Sequence, residues 1–311
     1  MKRKLKVAVA VLTIASVGGV STFAQCTTEW PLSNGTPEQT RFSDISYPAP
    51  GQGILWRDPF CVGEYYASTP VLADGVVIFG TSGPGSQSGG TRFVDARTGR
   101  LRYVITLPGL GTRQAVGKVL LGDGSLLTLA FLATIVLTSV TGQYTLMVSA
   151  YDLDQLPASP ADPWAPVWSR EDLTISSGID VNFAEDCGDS QAAFFLVGRQ
   201  GPSGDALYKF AAADGELLWT MPIGNSQGTL AIGEVDSETG KRKVVITAGL
   251  NGVMATGATD SSLVWKQARY EAKDPTFVTA PGGLHRVLAS VWIPTGGKKP
   301  STRPGFVCLD A

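Results

Sequence analysis

Histidine is nearly absent from this sequence, and cysteine is scarce. The 311 residues include one histidine, His285, and four cysteines, at positions 26, 61, 187 and 308. A single histidine excludes a metal site built from several imidazoles. No two cysteines are adjacent and none are spaced as Cys-x-x-Cys, which argues against a zinc knuckle or a dithiol redox motif.

A basic segment followed by an apolar one opens the chain. The chain begins MKRKLK, continues with the apolar stretch VAVAVLTIASVGGV and reaches a run of small residues ending at Ala24. This is the pattern of a signal peptide over residues 1–24. An uncleaved membrane anchor is the alternative. A lipoprotein signal does not fit, because Gln25 stands where a small residue is expected before a lipidated Cys26.

Removal of residues 1–24 changes the charge balance of the chain. It leaves 21 basic and 27 acidic residues, a net charge of −6. That charge argues against nucleic acid and anionic membranes as partners. We expect a secreted or periplasmic chain without a membrane span, long enough for one large domain or two small ones.

Helical periodicity is nearly absent after the signal peptide, and a phrase of strand, turn and strand recurs instead. It reads TRFVDARTGRLRYVI at 91–105, YKFAAADGELLWTM at 208–221 and VMATGATDSSLVWKQ at 253–267, with a longer, proline-rich copy at 147–170. Counting GILWRD at 53–58, the recurring aromatic residues are Trp56, Tyr103, Trp168, Trp219 and Trp265. Their spacing of about 45–65 residues is typical of propellers and solenoids. We interpret them as packing residues between blades and not as cofactor ligands.

A hairpin precedes each phrase. The segments 68–82 and 114–131 turn at Asp-Gly pairs, 228–249 turns in an acidic segment, and 178–198 and 276–292 are weaker copies. Each unit therefore contains four short strands, called A to D here, with the aromatic residue on strand D. The sequence predicts an all-β fold, a β-propeller of about five four-stranded antiparallel blades.

One apolar run could be mistaken for a membrane span. LLTLAFLATIVLTSV, at 126–140, is shorter than the roughly 20 residues that a helix needs to cross a bilayer. It also falls where strand B of the second unit is expected. A strand buried on both faces is apolar throughout, and we predict such a strand here.

The phrase from strand C to strand D resembles the pyrroloquinoline-quinone-like β-propeller repeat, in which Asp-Ala-x-Thr-Gly leads into x-Leu-x-Trp. FVDARTGRLRY and FAAADGELLW match that pattern, and TEWPLSNGTPEQTRFS at 28–43 is similar to the family's N-terminal lead-in. The resemblance implies a lead-in over residues 25–52 and a propeller over 53–311. Quinone-dependent dehydrogenases of this superfamily use a vicinal cysteine pair and a calcium-bound cofactor. The missing cysteine pair argues against a pyrroloquinoline quinone cofactor.

The last unit lacks a strand D, whereas GILWRD at 53–58 is a strand D without a partner. Because an open blade exposes unpaired backbone groups, we expect residues 53–58 to complete the fifth blade. Simple alignment then places Cys308 opposite Leu55. Cys61 lies six residues further on, about 20 Å along the strand, so no Cys61–Cys308 disulfide is expected. A truncated larger propeller is the competing interpretation.

The best candidate for ligand binding is the acidic hairpin of the fourth unit. Glu234, Asp236 and Glu238 alternate, so they share one face of an extended segment. With Gly240 following, they resemble a calcium loop, which needs several hard oxygen ligands close together. We expect at most weak calcium binding there and no other cofactor. A solvated hairpin is the alternative.

No assembled catalytic set stands out, so the sequence favours an exported, non-catalytic scaffold that binds an envelope or extracellular protein. The resemblance extends to a propeller lipoprotein of outer-membrane assembly, which implies protein partners. The alternative is a carbohydrate-binding propeller, or a glycoside hydrolase or lyase, that uses the central tunnel. Asp180 and Glu234 on strand A would then be the candidate carboxylates. The aromatic residues expected to stack on sugars, or equally to pack the core, are Tyr65, Tyr66, Phe183 and Phe277.

Overall fold

The computed structural model describes thirteen segments of the chain, all after residue 64. They are residues 65–66, 70–82, 89–107, 112–137, 144–175, 179–184, 193–199, 205–224, 230–237, 240–269, 271–279, 285–295 and 301–310. The lead-in at 25–52 and the predicted closing strand at 53–58, with Trp56, lie outside these residues.

The described residues form twenty β-strands in five successive antiparallel sheets. The first sheet contains β1 (Tyr65–Tyr66), β2 (Val71–Ala73), β3 (Val76–Ser82), β4 (Gly89–Asp95) and β5 (Leu101–Leu107). The second contains β6 (Thr112–Leu120), β7 (Leu126–Leu137), β8 (Tyr144–Asp152) and β9 (Trp168–Ile175). The third contains β10 (Ile179–Ala184), β11 (Ala193–Arg199), β12 (Asp205–Ala211) and β13 (Leu217–Gly224). The fourth contains β14 (Ala231–Ser237), β15 (Gly240–Gly249), β16 (Gly252–Gly257) and β17 (Leu263–Gln267). The fifth contains β18 (Glu271–Thr279), β19 (His285–Thr295) and β20 (Ser301–Asp310).

Within each sheet the strands pair in chain order, which is the meander of a propeller blade. In the first sheet β1 and β2 both pair with β3, so they are two pieces of one interrupted strand A. Four sheets thus have strands A to D, and the fifth has A to C in the described residues. The predicted all-β propeller of four-stranded antiparallel blades is confirmed.

Each pair of consecutive sheets shares one apolar core, and the strand D aromatic residue of the earlier sheet packs against it. Tyr103 contacts the core between sheets one and two, and Trp168 the core between sheets two and three. Trp219 and Trp265 occupy the same place in the next two cores. The sheets are therefore held face to face, chiefly by apolar burial.

The apolar run that begins at Leu126 forms strand β7, which is buried between two neighbouring sheets. Leu129 and Phe131 face the third sheet, while Ala130 and Leu132 face the first, and all four side chains are buried. The prediction of a strand buried on both faces is confirmed. Among the described residues no helix is long and apolar enough to span a membrane.

The turn between strands C and D has the same hydrogen bonds in three sheets. The amides of Asp95, Ala211 and Gly257 donate to the carbonyl five residues later, and the residue four positions on donates back. That fourth residue has positive φ: Gly99 (70°), Gly215 (75°) and Ser261 (56°). Because L-residues with a side chain disfavour this region, this turn favours the Gly of the recurring phrase, although Ser261 adopts the same conformation in the fourth sheet.

Gly215 carries a second constraint, because a Cβ added to it would lie 2.5 Å from the ring of Trp168 in the preceding sheet. We expect Gly215→Ala to lower the free energy of unfolding by about 2–4 kcal/mol, from backbone strain and overpacking together. Gly124→Ala is the matched control: its φ is +85° and nothing lies within 4 Å of the added atom, so only the backbone cost of about 1–2 kcal/mol applies. Equal losses in urea denaturation would show that the Trp168 contact has no effect.

Ser261 is the one serine at this left-handed position in the three turns. We expect Ser261→Gly to stabilise the chain by about 0.5–1 kcal/mol, because relief of the strained φ exceeds the added entropy of the unfolded chain. The reverse change in the first sheet, Gly99→Ser, should destabilise by a similar amount. The thermal unfolding midpoints of both variants test these two predictions. A lower midpoint for Ser261→Gly than for the parent would contradict this account.

Candidate functional site

The C–D turns of the first four sheets lie on one side of the molecule. Indole Nε1 of Trp168 donates to the Ala212 carbonyl in the turn of the third sheet (3.0 Å). The Tyr103 hydroxyl donates to the Asp162 carbonyl in the C–D connection of the second sheet (3.1 Å), and Trp219 packs in a core with Ala258 of the fourth. We call this side the turn face: connections 95–100, 153–167, 211–216 and 257–262 with the adjacent A–B turns.

Large aliphatic side chains are exposed on the turn face of three consecutive sheets. Val167, Leu218 and Leu263 lie at the start of strand D or just before it and are 43%, 43% and 54% exposed. Leu126, beside the A–B turn of the second sheet, is 55% exposed. Leu250, equally exposed at 45%, lies in a B–C turn at the opposite end of the strands. Four large aliphatic side chains are thus exposed on the turn face of three neighbouring blades.

An open groove of about 530 Å³ lies between the second and third sheets on this face. Gly215 and Arg170 line it, together with the carboxylates of Glu171, Asp214 and Glu216. Arg170 donates from Nη1 to the Gly215 carbonyl (2.7 Å), and its guanidinium lies 5.6 Å from the Phe210 ring centre. The guanidinium is therefore held in place, and three carboxylates against one cation leave the groove acidic.

Aspartates in the turns are structural caps that keep their charge. A hydrogen bond from the Thr98 hydroxyl lowers the pKa of Asp95, and one from the Ser125 hydroxyl lowers the pKa of Asp123. The pKa of Asp260 is lowered chiefly by the Ser262 amide. All three carboxylates satisfy the amides of their own turns. Asp95 and Asp123 make the turn face more acidic, whereas the charge of Asp260 is balanced by Arg242, whose Nη2 lies 2.6 Å from Asp260 Oδ1.

The acidic hairpin of the fourth sheet is a paired ladder. Glu234 and Asp236 lie within β14, opposite Lys243 and Lys241 of β15. Glu234 Oε2 is 3.7 Å from Lys241 Nζ, so the basic strand partly neutralises the acidic one. Glu238 lies outside the described residues, within which no three acidic, cysteine or histidine side chains are grouped for a metal. Weak calcium binding by these three residues stays a prediction.

The residues proposed for a sugar-binding tunnel are only partly described. Phe277 is buried in the core between the fourth and fifth sheets, with its ring against Gly233. It therefore packs the core and is not available for stacking on a sugar. The side chains of Asp180, Phe183, Tyr65 and Tyr66 lie outside the described residues. Cys308 is a free, exposed thiol.

Trp164 is a key residue that the repeat pattern missed. It lies in the long C–D connection of the second sheet and makes edge-on contacts with Phe93 (5.0 Å) and Tyr103 (5.3 Å) of the first. Its third aromatic neighbour is Tyr151, at 5.0 Å. The only signal in the sequence is a Trp that lies in a proline-rich segment, outside the recurring strand D positions. The ring fastens the longest turn of the described chain onto the neighbouring blade.

Comparison with known proteins adds little beyond the fold. No family model matches the chain, and no curated protein matches it. Its solved structural neighbours include the β-propeller domain of the trilobed protease from Pyrococcus furiosus, which has an open velcro topology. It is 11% identical, with 81% of this chain and 70% of that chain covered and a TM-score of 0.41. Kuenenia stuttgartiensis hydrazine synthase is 15% identical, with 75% and 59% covered and a TM-score of 0.41. Similarities this distant carry no information about activity.

We expect Trp164→Ala to lower the free energy of unfolding by about 2–4 kcal/mol, because a large ring and three aromatic contacts are lost. A protease of broad specificity should also cleave residues 153–167 faster. Trp164→Phe keeps an aromatic ring and should lose about half as much stability. Unchanged proteolysis of this connection in Trp164→Ala would show that the ring does not hold it.

Proposed function

We propose that this chain is an exported, non-catalytic β-propeller that binds an envelope or extracellular protein through its turn face. Membership of the pyrroloquinoline-quinone-like repeat family is part of the proposal. It is supported by the Asp95–Gly99 turn, in which the Asp95 carboxylate accepts from the Thr98 amide and Gly99 adopts positive φ, as suits the Asp and Gly of the family phrase. Export is supported by the signal-like residues 1–24.

The observation that carries the proposal is the row of exposed aliphatic residues across three blades. A single exposed leucine is ordinary, whereas Val167, Leu218 and Leu263 each lie one or two residues before the strand D tryptophan on three neighbouring sheets. Leu263 is paired with Thr256, Leu218 lies within β13, and the Val167 amide donates to the Ala150 carbonyl. Their backbones are therefore ordered, so little conformational entropy is lost when a partner covers them. Protein interfaces combine such an apolar centre with a polar rim.

The acidic groove supplies a polar rim on this face. Glu171, Asp214 and Glu216 lie near Val167 and Leu218, in the same two sheets. Charge complementarity favours a partner with basic side chains beside an apolar patch. The proposed ligand is therefore a folded protein or peptide with lysine or arginine next to aliphatic or aromatic residues.

Carbohydrate binding or glycoside cleavage in the central tunnel is the rival function. It would need exposed aromatic residues or a carboxylate pair on strand A. Phe277 is buried, and Glu234 is paired with Lys241. These two observations favour protein binding.

A photo-crosslinking amino acid at position 218 tests the proposal in the full mature chain. With envelope extract, we expect a discrete protein adduct at 218 and none at the control position 250, which is similarly exposed but lies in the next blade, at the opposite end of the strands. Leu218→Asp and Leu263→Asp should each weaken binding of the captured protein about tenfold, a loss of about 1.4 kcal/mol, without altering thermal stability. Leu250→Asp should leave binding unchanged.

A glycan array with the same protein tests the alternative function, carbohydrate binding. Binding of a glycan that survives Leu218→Asp, together with equal capture at positions 218 and 250, would contradict the proposed function. A specific adduct at 218 with no glycan bound supports it.

A further inference from the structure

The C–D connection of the second sheet is an insertion into the recurring turn. It extends over residues 153–167, whereas the other described connections between strands C and D are residues 96–100, 212–216 and 258–262. The shorter turns show that a blade does not need the extra residues in order to pair strand C with strand D. Connections of this length in a compact fold are usually either functional or disordered.

This connection is ordered, because it is attached to the first two sheets near both of its ends. Leu153 and Leu156 are buried in the core between those sheets. Further along, the Asp162 carbonyl accepts from the Tyr103 hydroxyl, and the ring of Trp164 packs against three aromatic residues. A partner that binds an ordered segment of this kind loses little conformational entropy.

Proline occurs at every third position of the connection, at 157, 160, 163 and 166. Because a polyproline II helix has three residues per turn, this spacing aligns the prolines along one edge wherever the backbone takes that conformation. Each proline also biases the residue before it toward an extended backbone. Leu156, which precedes Pro157, shows this bias with a φ of −56° and a ψ of 120°.

The prolines at 163 and 166 lie in an extended, exposed segment after a tight turn. The Asp162 amide donates to the Ser159 carbonyl (3.1 Å) and closes the turn, and residues 163–166 are neither helix, strand nor turn. Pro163 and Pro166 are both exposed, whereas Trp164 between them is half-buried against the first sheet. We call residues 163–167 the proline strip, which is held by its tryptophan and presents its prolines to solvent.

We propose that the proline strip is the segment of the turn face that the partner protein recognises, and that the partner receives it in a groove lined with aromatic side chains. Such grooves bind Pro-x-x-Pro segments, because proline rings fit between aromatic rings and the extended backbone is already formed. Val167 belongs both to the strip and to the row of exposed aliphatic residues. The inference rests on the proposed function and specifies the chemistry of its partner.

The charges around the proline strip complement basic side chains at the ends of that groove. The strip itself, Pro-Trp-Ala-Pro-Val, carries no charged side chain. Asp162 precedes it and is exposed, and Glu171 of the acidic groove follows it in β9. Lysine or arginine beside the aromatic residues of the partner would therefore favour the same orientation of the bound strip.

Photo-crosslinking in the full mature chain tests the proposal. A photoreactive amino acid replaces Ala165, between the two prolines, and in a second protein replaces Ala161, which is also exposed but lies in the preceding turn. With envelope extract, we expect a protein adduct at 165 at least five times more abundant than at 161. Mass spectrometry should map the adduct to a segment of the captured protein that contains tyrosine, tryptophan or phenylalanine.

Proline variants show whether the rings themselves are recognised. Pro163→Ala combined with Pro166→Ala should reduce the adduct at 165 at least tenfold, whereas Pro160→Ala, the matched exposed proline, should leave it unchanged. Pro163→Val combined with Pro166→Val should reduce the adduct equally, because β-branched residues favour an extended backbone and keep the strip from loosening. Resistance of residues 153–167 to a protease of broad specificity checks that the connection remains in place.

Three results would overturn the proposal: an adduct at 165 that persists in both double variants, an adduct that maps to a segment without aromatic residues, or no adduct at 165. In the last case, an adduct at 218 that weakens in Leu218→Asp would retain the proposed function and refute only recognition of the proline strip. Absence of adducts at both 165 and 218 would contradict the proposed function as well.

Discussion

The contact on which the architecture depends is that of a strand D ring with the turn of the following sheet. Trp168 meets Gly215 where any side chain would collide with its ring, and its indole donates to Ala212. Gly215 thus meets two requirements. Its own turn needs a residue with positive φ, and the Trp168 ring of the preceding sheet leaves no space for a side chain. Consecutive sheets are coupled through this pair, so packing between blades depends on the local conformation of each turn.

The bulge that positions each aromatic residue also determines which strand D side chain is exposed to solvent. At the third sheet, Trp219 is paired with Lys209 and Leu217 with Phe210, so Leu218 is left as the extra residue. Leu218 is 43% exposed, while Trp219 packs in the core beside it. The packing of this blade therefore leaves Leu218 exposed on the turn face.

The repeat pattern predicted what depends on local sequence. Strand order, Gly99 and Gly215 in the turns, and the four strand D aromatic residues of the described chain follow from spacing and turn chemistry. Contacts between distant segments determine two features that the pattern did not predict. These are the interruption of strand A into β1 and β2, and the packing of Trp164 against the first sheet. Neighbouring residues do not encode the pairing of Glu234 with Lys241 either. That pairing needs the register of β14 on β15, which a one-residue shift would change.

Charge on the turn face has two separate roles. Asp95 and Asp123 each accept hydrogen bonds from their own turns through Oδ1, whereas Asp260 also forms an ion pair with Arg242. The charge of Asp260 is therefore partly neutralised, and the long-range field on this face comes chiefly from Asp95, Asp123 and the carboxylates of the groove. In the proposed function these carboxylates attract a partner with basic side chains, and the exposed aliphatic residues supply the apolar contacts.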